Sequence, residues 1–298
     1  MKIVLIDGDI LVYTTIFACA DETEWWKVKY TAKKVVEELC TNSGATHYLS
    51  FLTKSSENFR VKTATTWEYK GSRKSNEEKP KWYDEVREYY QDDLGFQMMR
   101  GVEADDALTI AAEALKGTPV VCATVDKDLL QYPWDEFLNI RSGLIHKVTE
   151  EAAHDSLWHQ VLIGDVATDN IPGLSHAAKY QTVNEWDPKH RAGKHHLVGA
   201  KGADALLQGW NPSDYAENIL NMYEDAYDHT VGNTQEVIDY CEDKGMSFGE
   251  YRFYETFTLI YMLLEAPEGL EIHYNPLPVL SRTSGVDDEF EDCTDEEL

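Results

Sequence analysis

The sequence predicts an α/β fold, in which a mostly parallel sheet is flanked by helices and followed by a helical C-terminal part. Short apolar runs at 2–6, 47–52 and 118–125 alternate with segments of helical periodicity. This alternation is typical of parallel strands joined by crossover helices. Acidic side chains follow the first and the last of these runs, and from about residue 155 onwards the pattern becomes helical.

The N-terminal half begins with a fully buried strand, KIVLI, which leads directly into Asp7. HYLSFL and TPVVCATV are the second and third predicted strands, and acidic residues also follow the third. Helical periodicity predicts helices over 26–42, 82–93 and 102–115. The segment 53–81 is polar, basic and weakly periodic, so we expect a mobile connection there.

The C-terminal half is predicted to be helical, with segments at 156–164, 198–207 and 251–265. The last of these is apolar and aromatic at helical spacing, which is typical of a core helix.

Charge and cysteine content limit the function classes. The net charge of -27 argues against a simple nucleic-acid binder, although eight of the acids lie in the final segment 287–298. We expect this tail to be disordered, and either to promote solubility or to bind a basic protein partner. The five cysteines form no CxxC pair, which indicates a reducing compartment such as the cytoplasm. The apolar start is too short for a signal peptide, and no apolar run approaches the ~20 residues of a membrane span.

Four acidic clusters are the strongest functional signal in the chain. Three of them follow or interrupt apolar runs, where carboxylates rarely lie without a partner. Two unit charges about 4 Å apart repel by roughly 4 kcal/mol at an effective dielectric of about 20. Converging carboxylates therefore need a cation, and their hard oxygens favour Mg²⁺ or Mn²⁺. The clusters are Asp7; Glu103, Asp105 and Asp106; Asp126 and Asp128; and Asp165 and Asp169.

Each cluster alone also has an ordinary explanation. Acids in the first turn of a helix are favoured by the helix dipole, and an Asp-Lys-Asp sequence after a strand is a common turn. Asp165 and Asp169 are four residues apart, which predicts that they share one face of a helix and repel unless a cation bridges them. The four clusters together are far more specific than any one of them.

Six motifs occur in the order found in one family of nucleases. They are IDGD, YKGSR, GVEADDA, VDKDLLQ, GDVATDNIPG and GAKGADALL. The chain resembles the 5′→3′ exonuclease/flap endonuclease family, which includes the nuclease domain of bacterial DNA polymerase I and stand-alone bacteriophage 5′-nucleases. The resemblance extends from about residue 1 to residue 207, and the last ninety residues match only loosely.

The resemblance implies a PIN-like nuclease fold with a two-metal site that uses Mg²⁺, for which Mn²⁺ can substitute. Asp7, Glu103 and Asp105 match the acids that hold the first ion. Two ions about 3.5–4 Å apart generate a hydroxide nucleophile and stabilise the attacking and leaving oxygens. The acids that match those around the second ion are Asp106, Asp126, Asp128, Asp165 and Asp169.

The basic motif YKGSR matches the Tyr-Lys-x-x-Arg pattern of the family. It implies that Tyr69 stacks on a terminal base, that Lys70 stabilises charge on the scissile phosphate, and that Arg73 binds a phosphate. Residues 71–95 would form the arch that single strands enter. A solvated basic loop is the ordinary alternative.

GAKGADALL matches the second half of a helix-hairpin-helix, in which backbone amides at a helix start hold duplex phosphates. The resemblance assigns Gly199, Lys201 and Gly202 to this contact. A helix cap followed by an ordinary helix is the alternative.

The sequence departs from the family pattern in three places. Where the family has an Asp after the second strand, this chain has Thr53 and Lys54. The family motif GDxxDN has i,i+3 spacing, whereas Asp165 and Asp169 are i,i+4. A basic insertion at 175–196 separates the fourth acidic cluster from GAKGADALL, and we expect it to contact duplex DNA.

The resemblance implies a metal-dependent 5′→3′ DNA exonuclease with flap endonuclease and RNase H-like activity. We expect a monomer that acts on duplex 5′ ends, 5′ flaps and RNA primers during phage replication or recombination in the host cytoplasm. The alternatives are a PIN-like ribonuclease and a DNA-binding protein with a decayed site. The expected organisation is a nuclease core at 1–155 with an arch around 53–95, a helical region at 156–286 that contains the insertion 175–196, and the acidic tail 287–298.

Overall fold

The computed structural model describes residues 1–71, 79–174, 198–227 and 234–279. The helices in these ranges are α1 (Gly8–Ala18), α2 (Trp25–Ser43), α3 (Phe59–Thr63), α4 (Tyr83–Asp92), α5 (Ala104–Ala114), α6 (Glu150–Ile163), α7 (Ala200–Gly209), α8 (Tyr215–Tyr227), α9 (Gln235–Lys244) and α10 (Phe248–Ile260). The strands are β1 (Ile3–Asp7), β2 (His47–Asn58), β3 (Gln97–Gly101), β4 (Val120–Thr124), β5 (Glu136–Asn139), β6 (Ile145–His146), β7 (Gly164–Asp165), β8 (Ile171–Pro172) and β9 (Leu277–Pro278).

The main sheet has the strand order β3-β2-β1-β4-β5-β6, and β9 pairs with β2. The four pairings from β3 to β5 are parallel, whereas β6 and β9 are antiparallel. The expected mostly parallel sheet is therefore confirmed. A separate two-stranded sheet, β7-β8, follows α6.

Helices cover both faces of this sheet. Val4 and Ile6 of β1 face α1, α2 and α4, whereas Ile3 and Leu5 face α5. All of β1 is therefore buried, which is why KIVLI is a continuous apolar run and does not alternate with polar residues.

The C-terminal helices α6, α7, α8 and α10 enclose a second core that contains Trp158, Ile219, Tyr223 and Phe253. The expected helix at 251–265 is α10, which begins at Phe248 and ends at Ile260. It differs from a purely apolar core helix because two charged residues of one turn, Arg252 and Glu255, are also buried. No helix in the described ranges is both long and apolar enough to cross a membrane.

Several elements were not predicted from the sequence. In α1, apolar side chains such as Tyr13 and Phe17 lie on the exposed face as well as on the buried one, so that helix shows little helical period. The strand β3, QMMRG, lacks β-branched residues, and β5 has only four residues. Short or uniformly apolar elements leave little periodic signal in a sequence.

The expectation of one arch around 53–95 needs correction. Residues 53–58 continue β2, and α3 follows immediately. Helix α4 packs into the core through Val86 and Tyr90, which are fully buried. An arch is therefore restricted to the connection between α3 and α4, of which 72–78 lie outside the described residues, as do the insertion 175–196 and the tail 287–298.

We predict that Gly164→Ala strongly destabilises the protein. Gly164 has φ 71° and ψ -173°, a conformation that is essentially restricted to glycine. A Cβ atom there would lie 2.3 Å from both the Gly173 nitrogen and the Ile171 carbonyl oxygen. The free energy of unfolding, measured with urea, should fall by about 3 kcal/mol or more. Gly209→Ala is the control, because its Cβ would meet no atom within 4 Å, and equal stability of the two variants would contradict the prediction.

Candidate metal centre

The carboxyl ends of β1 and β4 bring Asp7 and Asp126 to one edge of the sheet. Ile6 of β1 pairs in parallel with Ala123 of β4, so the two strands end side by side. The Thr124 hydroxyl lies between the acids. It donates to Asp7 Oδ2 at 2.8 Å and accepts from the Asp126 N–H at 3.0 Å.

The start of α5 adds Glu103 and Asp105 to this edge. Glu103 is the N-cap of α5, and its N–H donates to Asp106 Oδ2 at 3.2 Å in a capping box. The next N–H, that of Ala104, donates to Thr53 Oγ1 at 2.8 Å, which fixes the helix start to β2.

Asp128 begins a short 3-10 helix after β4, and its Oδ1 accepts from Gln160 Nε2 at 2.7 Å.

The prediction that Asp165 and Asp169 share one face of a helix is wrong. Helix α6 ends at Ile163, after which Asp165 belongs to β7 and Asp169 to the turn before β8. The Asp169 N–H donates to the Asp165 carbonyl at 3.2 Å, so the four-residue spacing closes a single turn.

One cavity collects carboxylates from three of the four sequence clusters. Its lining includes Tyr69, Glu103, Asp105, Asp128, Asp165 and Asp169. Asp7 and Asp126 lie beside this group. Asp126 is close enough to both Asp7 and Asp105 for its charge to raise their pKa values.

Burial and mutual repulsion raise the pKa values of four carboxyls. Burial, with the charges of Asp9 and Asp126, raises the pKa of Asp7 to about 7. Burial, together with neighbouring acids, also raises the pKa values of Asp105, Asp126 and Asp128. Burial is the largest cause of each shift, and repulsion between neighbouring acids adds to it.

Two lysines neutralise part of this charge. The Lys70 ammonium pairs with Glu103 and lies 3.9 Å from Asp169 Oδ1. Burial alone would raise the pKa of Glu103, but the Lys70 and Arg60 cations hold it below its usual value. Lys127 Nζ lies 2.5 Å from Asp165 Oδ2 and 3.1 Å from Asp128 Oδ1.

In this arrangement, no group of three or more His, Cys, Asp or Glu side chains among the described residues is spaced to hold a metal ion. The donor set nevertheless fits hard divalent cations, because it consists of carboxylate oxygens and its acids outnumber the two lysines beside them. Lys70 and Lys127 would have to withdraw from their carboxylates before two such ions could bind.

Asp106 needs correction as a metal ligand. Both of its oxygens accept from the Arg60 guanidinium, at 2.5 and 2.9 Å, and Oδ1 also accepts from the Leu263 N–H at 3.1 Å. Asp106 and Arg60 are both 0% exposed. The structure therefore favours a structural role for Asp106. Sequence reasoning missed Arg60, because a single arginine in ENFRV carries no local signal of its distant partners.

The role expected for Tyr69 is also corrected. Tyr69 is buried, and its hydroxyl donates to Glu103 Oε2 at 2.5 Å and to Asp169 Oδ2 at 3.1 Å. Its ring packs in the C-terminal core and so is not available to stack on a base in this conformation. Arg73, the expected phosphate ligand, lies outside the described residues.

Thr53, at the position where the family has an acid, takes part in a polar contact with Asp9. The Thr53 N–H donates to Asp9 Oδ2 at 3.0 Å, and Arg87 Nη1 donates to Asp9 Oδ1 at 2.7 Å. The Arg87 guanidinium also donates to the Thr53 carbonyl at 2.6 Å. Asp9 thus lies beside the site, and its presence in IDGD is the signal that could have identified it.

Gly199 is the N-cap of α7 and, with Lys201 and Gly202, is exposed at the start of that helix. Helix α7 packs on α6, the helix that leads into Asp165. The first turn of α7 is therefore open to a ligand, and phosphate binding there stays a prediction.

Comparison with known proteins identifies the family. The model of the 5′-3′ exonuclease N-terminal resolvase-like domain matches residues 2–157. The chain therefore belongs to this 5′-3′ exonuclease family, which confirms the resemblance carried by the six motifs. No curated protein sequence matches the chain.

Solved structures confirm the fold. The bacteriophage T5 5′-exonuclease with bound zinc ions is 16% identical, has a TM-score of 0.58, and is matched over 87% of this chain and 89% of that chain. A mutant of the T5 5′-exonuclease is 14% identical, with a TM-score of 0.54 and 87% of each chain covered. The T5 D15 protein co-crystallised with metal ions is 16% identical, with a TM-score of 0.57 and a match over 87% of this chain and 89% of that chain.

We predict that Arg60→Met destabilises the protein by about 3–5 kcal/mol, because it leaves the buried Asp106 carboxylate without its cation. Adding Asp106→Leu should recover part of that loss, since it also removes the carboxylate that Arg60→Met leaves unpaired. The free energies of unfolding of the single and the double variant are measured with urea. Arg100→Met is the control, because Arg100 is largely exposed and pairs with the exposed Glu57. A loss no greater than that of the control would contradict the buried ion pair.

We predict that Asp7→Asn stabilises the metal-free protein at pH 8. Since the folded state raises the pKa of Asp7 from 3.8 to about 7, it favours the protonated carboxyl. The free energy of unfolding should therefore fall as the pH rises from about 4 to about 7, by at most ~4 kcal/mol. Asparagine removes this loss, so thermal unfolding with chelator should occur at higher temperature in the variant at pH 8, with little difference at pH 4.

The matched control is Asp135→Asn, because that side chain is 87% exposed. Adding Mg²⁺ at pH 8 should stabilise the native protein more than Asp7→Asn. A variant that is less stable than the native protein at pH 8 without metal would contradict the charge repulsion.

Proposed function

We propose that this protein is a divalent-metal-dependent 5′→3′ DNA exonuclease with flap endonuclease and RNase H-like activity. One observation carries the proposal: carboxylates from four distant parts of the chain meet beside Lys70 at the carboxyl edge of a parallel sheet. Membership of the 5′-3′ exonuclease family supports the reaction class.

The carboxylates divide into two groups by position. Asp7, Glu103 and Asp105 would hold a first ion at the end of β1 and the start of α5. The acids that would hold a second ion are Asp126, Asp128, Asp165 and Asp169. When bound, Mg²⁺ or Mn²⁺ supplies a hydroxide at neutral pH and a counter-charge for the phosphate oxygens.

The protein's own residues prepare the scissile phosphate. Lys70 has a side chain 26% exposed and points into the carboxylate group, so on release from Glu103 its ammonium can stabilise charge on the phosphate. Tyr69 orients Glu103 by donating to its carboxylate. Because burial and the charges of Glu103 and Asp169 raise the pKa of Tyr69, its hydroxyl stays protonated and remains a donor at neutral pH.

Substrate binding is proposed to use shape and not base sequence. The open first turn of α7 would hold a duplex phosphate through Gly199, Lys201 and Gly202. Arg73 and the basic insertion 175–196 would add phosphate contacts. The substrates would be duplex 5′ ends, 5′ flaps and RNA primers, which the protein would cleave as a monomer during phage replication in the host cytoplasm.

In this proposal, residues 1–155 form the nuclease core and 156–286 the DNA-binding helical region.

We predict that Asp105→Ala abolishes cleavage while duplex affinity stays within a few-fold, because Asp105 lies among the metal-binding acids and is not one of the residues assigned to the duplex contact. End-labelled duplex, 5′-flap and RNA–DNA substrates are digested with Mg²⁺ and with chelator, and affinity is measured with chelator. Asp135→Ala, a surface acid paired with Lys147, should cleave like the native protein.

The outcome of these digestions distinguishes the proposed nuclease from the two alternative functions. Unchanged cleavage by Asp105→Ala would refute the site. Cleavage of single-stranded RNA in preference to 5′-flap DNA would favour the PIN-like ribonuclease. Binding of duplex without cleavage of any substrate in Mg²⁺ or Mn²⁺ would favour a DNA-binding protein with a decayed site.

A further inference from the structure

The segment that carries Tyr69 and Lys70 into the metal centre is held in place by a helix of the C-terminal part. Residues 64–71, here named the strap, leave α3 at Ala64 and contain no helix or strand. Lys70 within the strap has φ 56°, a left-handed conformation that is uncommon for a residue other than glycine. Such a conformation persists only where the surroundings fix it.

Glu255 of α10 binds the beginning of the strap. Its Oε1 accepts from the Thr65 N–H at 2.5 Å, from the Thr65 hydroxyl at 2.8 Å and from the Thr66 N–H at 2.8 Å. Its Oε2 accepts from the Thr66 hydroxyl and, at 2.9 Å, from Arg252 Nη1. One carboxylate therefore receives five donors, four of which belong to two consecutive residues of the strap.

The end of the strap is bound by the turn that contains Asp169. The Lys70 N–H donates to the Asp169 carbonyl at 2.8 Å, and Asn170 Nδ2 donates to the Glu68 carbonyl at 2.9 Å. The strap is thus fixed on both sides of Trp67, at 65–66 by α10 and at 68–70 by the metal centre itself. The contact with Glu255 does not involve the metal-binding acids.

The Glu255 contact is strong and specific for the charged group. Glu255 and Arg252 have side chains 4% exposed, so the carboxylate charge is shielded from water and balanced within the protein. Hydrogen bonds to an ionised acceptor are roughly twice as strong as those between neutral groups. A neutral side chain of the same shape would leave Arg252 with a weaker partner and would place an amide N–H₂ against donors.

We propose that Glu255 is a positioning residue, which holds the strap so that the Lys70 ammonium and the Tyr69 hydroxyl reach the metal centre. The role of Lys70 in cleavage rests on the function proposed above, whereas the placement of the strap does not. Glu255 lies in the C-terminal helical part, so that part helps to order the active site in addition to any contact it makes with DNA.

We predict that Glu255→Gln lowers kcat for flap or duplex cleavage at least tenfold while KM changes less than about twofold, because phosphate contacts at α7 are untouched. In the protein without substrate, two local measurements should also change. Hydrogen exchange of the Thr65 and Thr66 amides, followed by mass spectrometry, should accelerate at least tenfold. The labelling of the Lys70 amine by an acylating reagent should also accelerate.

Glu250→Gln is the matched control, because it removes the same charge from the first turn of the same helix. It should leave kcat, amide exchange of the strap and Lys70 labelling unchanged. If Glu255→Gln does not fold, Thr66→Val serves instead, since it removes a single hydroxyl donor to Glu255 and should give a smaller change in the same direction.

The measurements separate this inference from the proposed function. Unchanged exchange at 65–66 and unchanged Lys70 labelling in Glu255→Gln would overturn the positioning role. Exchange that accelerates equally along the whole chain, with kcat and KM altered together, would also overturn it and would indicate a general structural role. Native protein that cleaves no substrate, but in which the strap loosens locally in Glu255→Gln, would refute the proposed function and support the positioning of the strap.

Discussion

The buried guanidinium of Arg60 is the interaction on which the rest of the structure depends. It binds Asp106 at the start of α5, and it donates to the carbonyls of Leu259 and Tyr261 at the end of α10. A helix leaves its last carbonyls without internal partners, and a buried cation needs acceptors on every side. Arg60 meets both needs at once. The start of α5, which carries Glu103, is consequently fixed to the end of α10.

A second constraint is the balance of charge at the carboxyl edge of the sheet. Parallel strands deliver Asp7 and Asp126 there whether or not a cation is present. Burial, followed by the charges of neighbouring acids, raises the pKa values of Asp7, Asp105 and Asp126. Lys70 and Lys127 lower the net charge but do not cancel it. A site with this residual charge favours binding of divalent cations.

The sequence predicted those parts of the fold and site that depend on local pattern. Asp7 and Asp126 follow apolar runs, so their place at the sheet edge follows from the strands alone. Asp165 and Asp169 were given the wrong local structure, because a spacing of four residues fits a helix and a closed turn equally well. Arg60 and Glu255 could not be recognised, because their partners lie almost two hundred residues away along the chain. The position of Tyr69 could not be predicted for the same reason, since its burial depends on helices of the C-terminal part.

Contacts made by α10 and by the residues just after it show how the N-terminal and C-terminal regions depend on each other. Leu263 binds both Asp106 and Thr109 of α5, Arg60 reaches Leu259 and Tyr261, and Glu255 holds the strap. A chain that ended near residue 155 would leave the Arg60 guanidinium without two of its acceptors and the strap without its first contact. Unpaired buried polar groups destabilise the folded state, so the N-terminal region would not keep this geometry of the site by itself. The metal centre is therefore completed by the C-terminal helices, although none of the acids assigned to the first ion belongs to them.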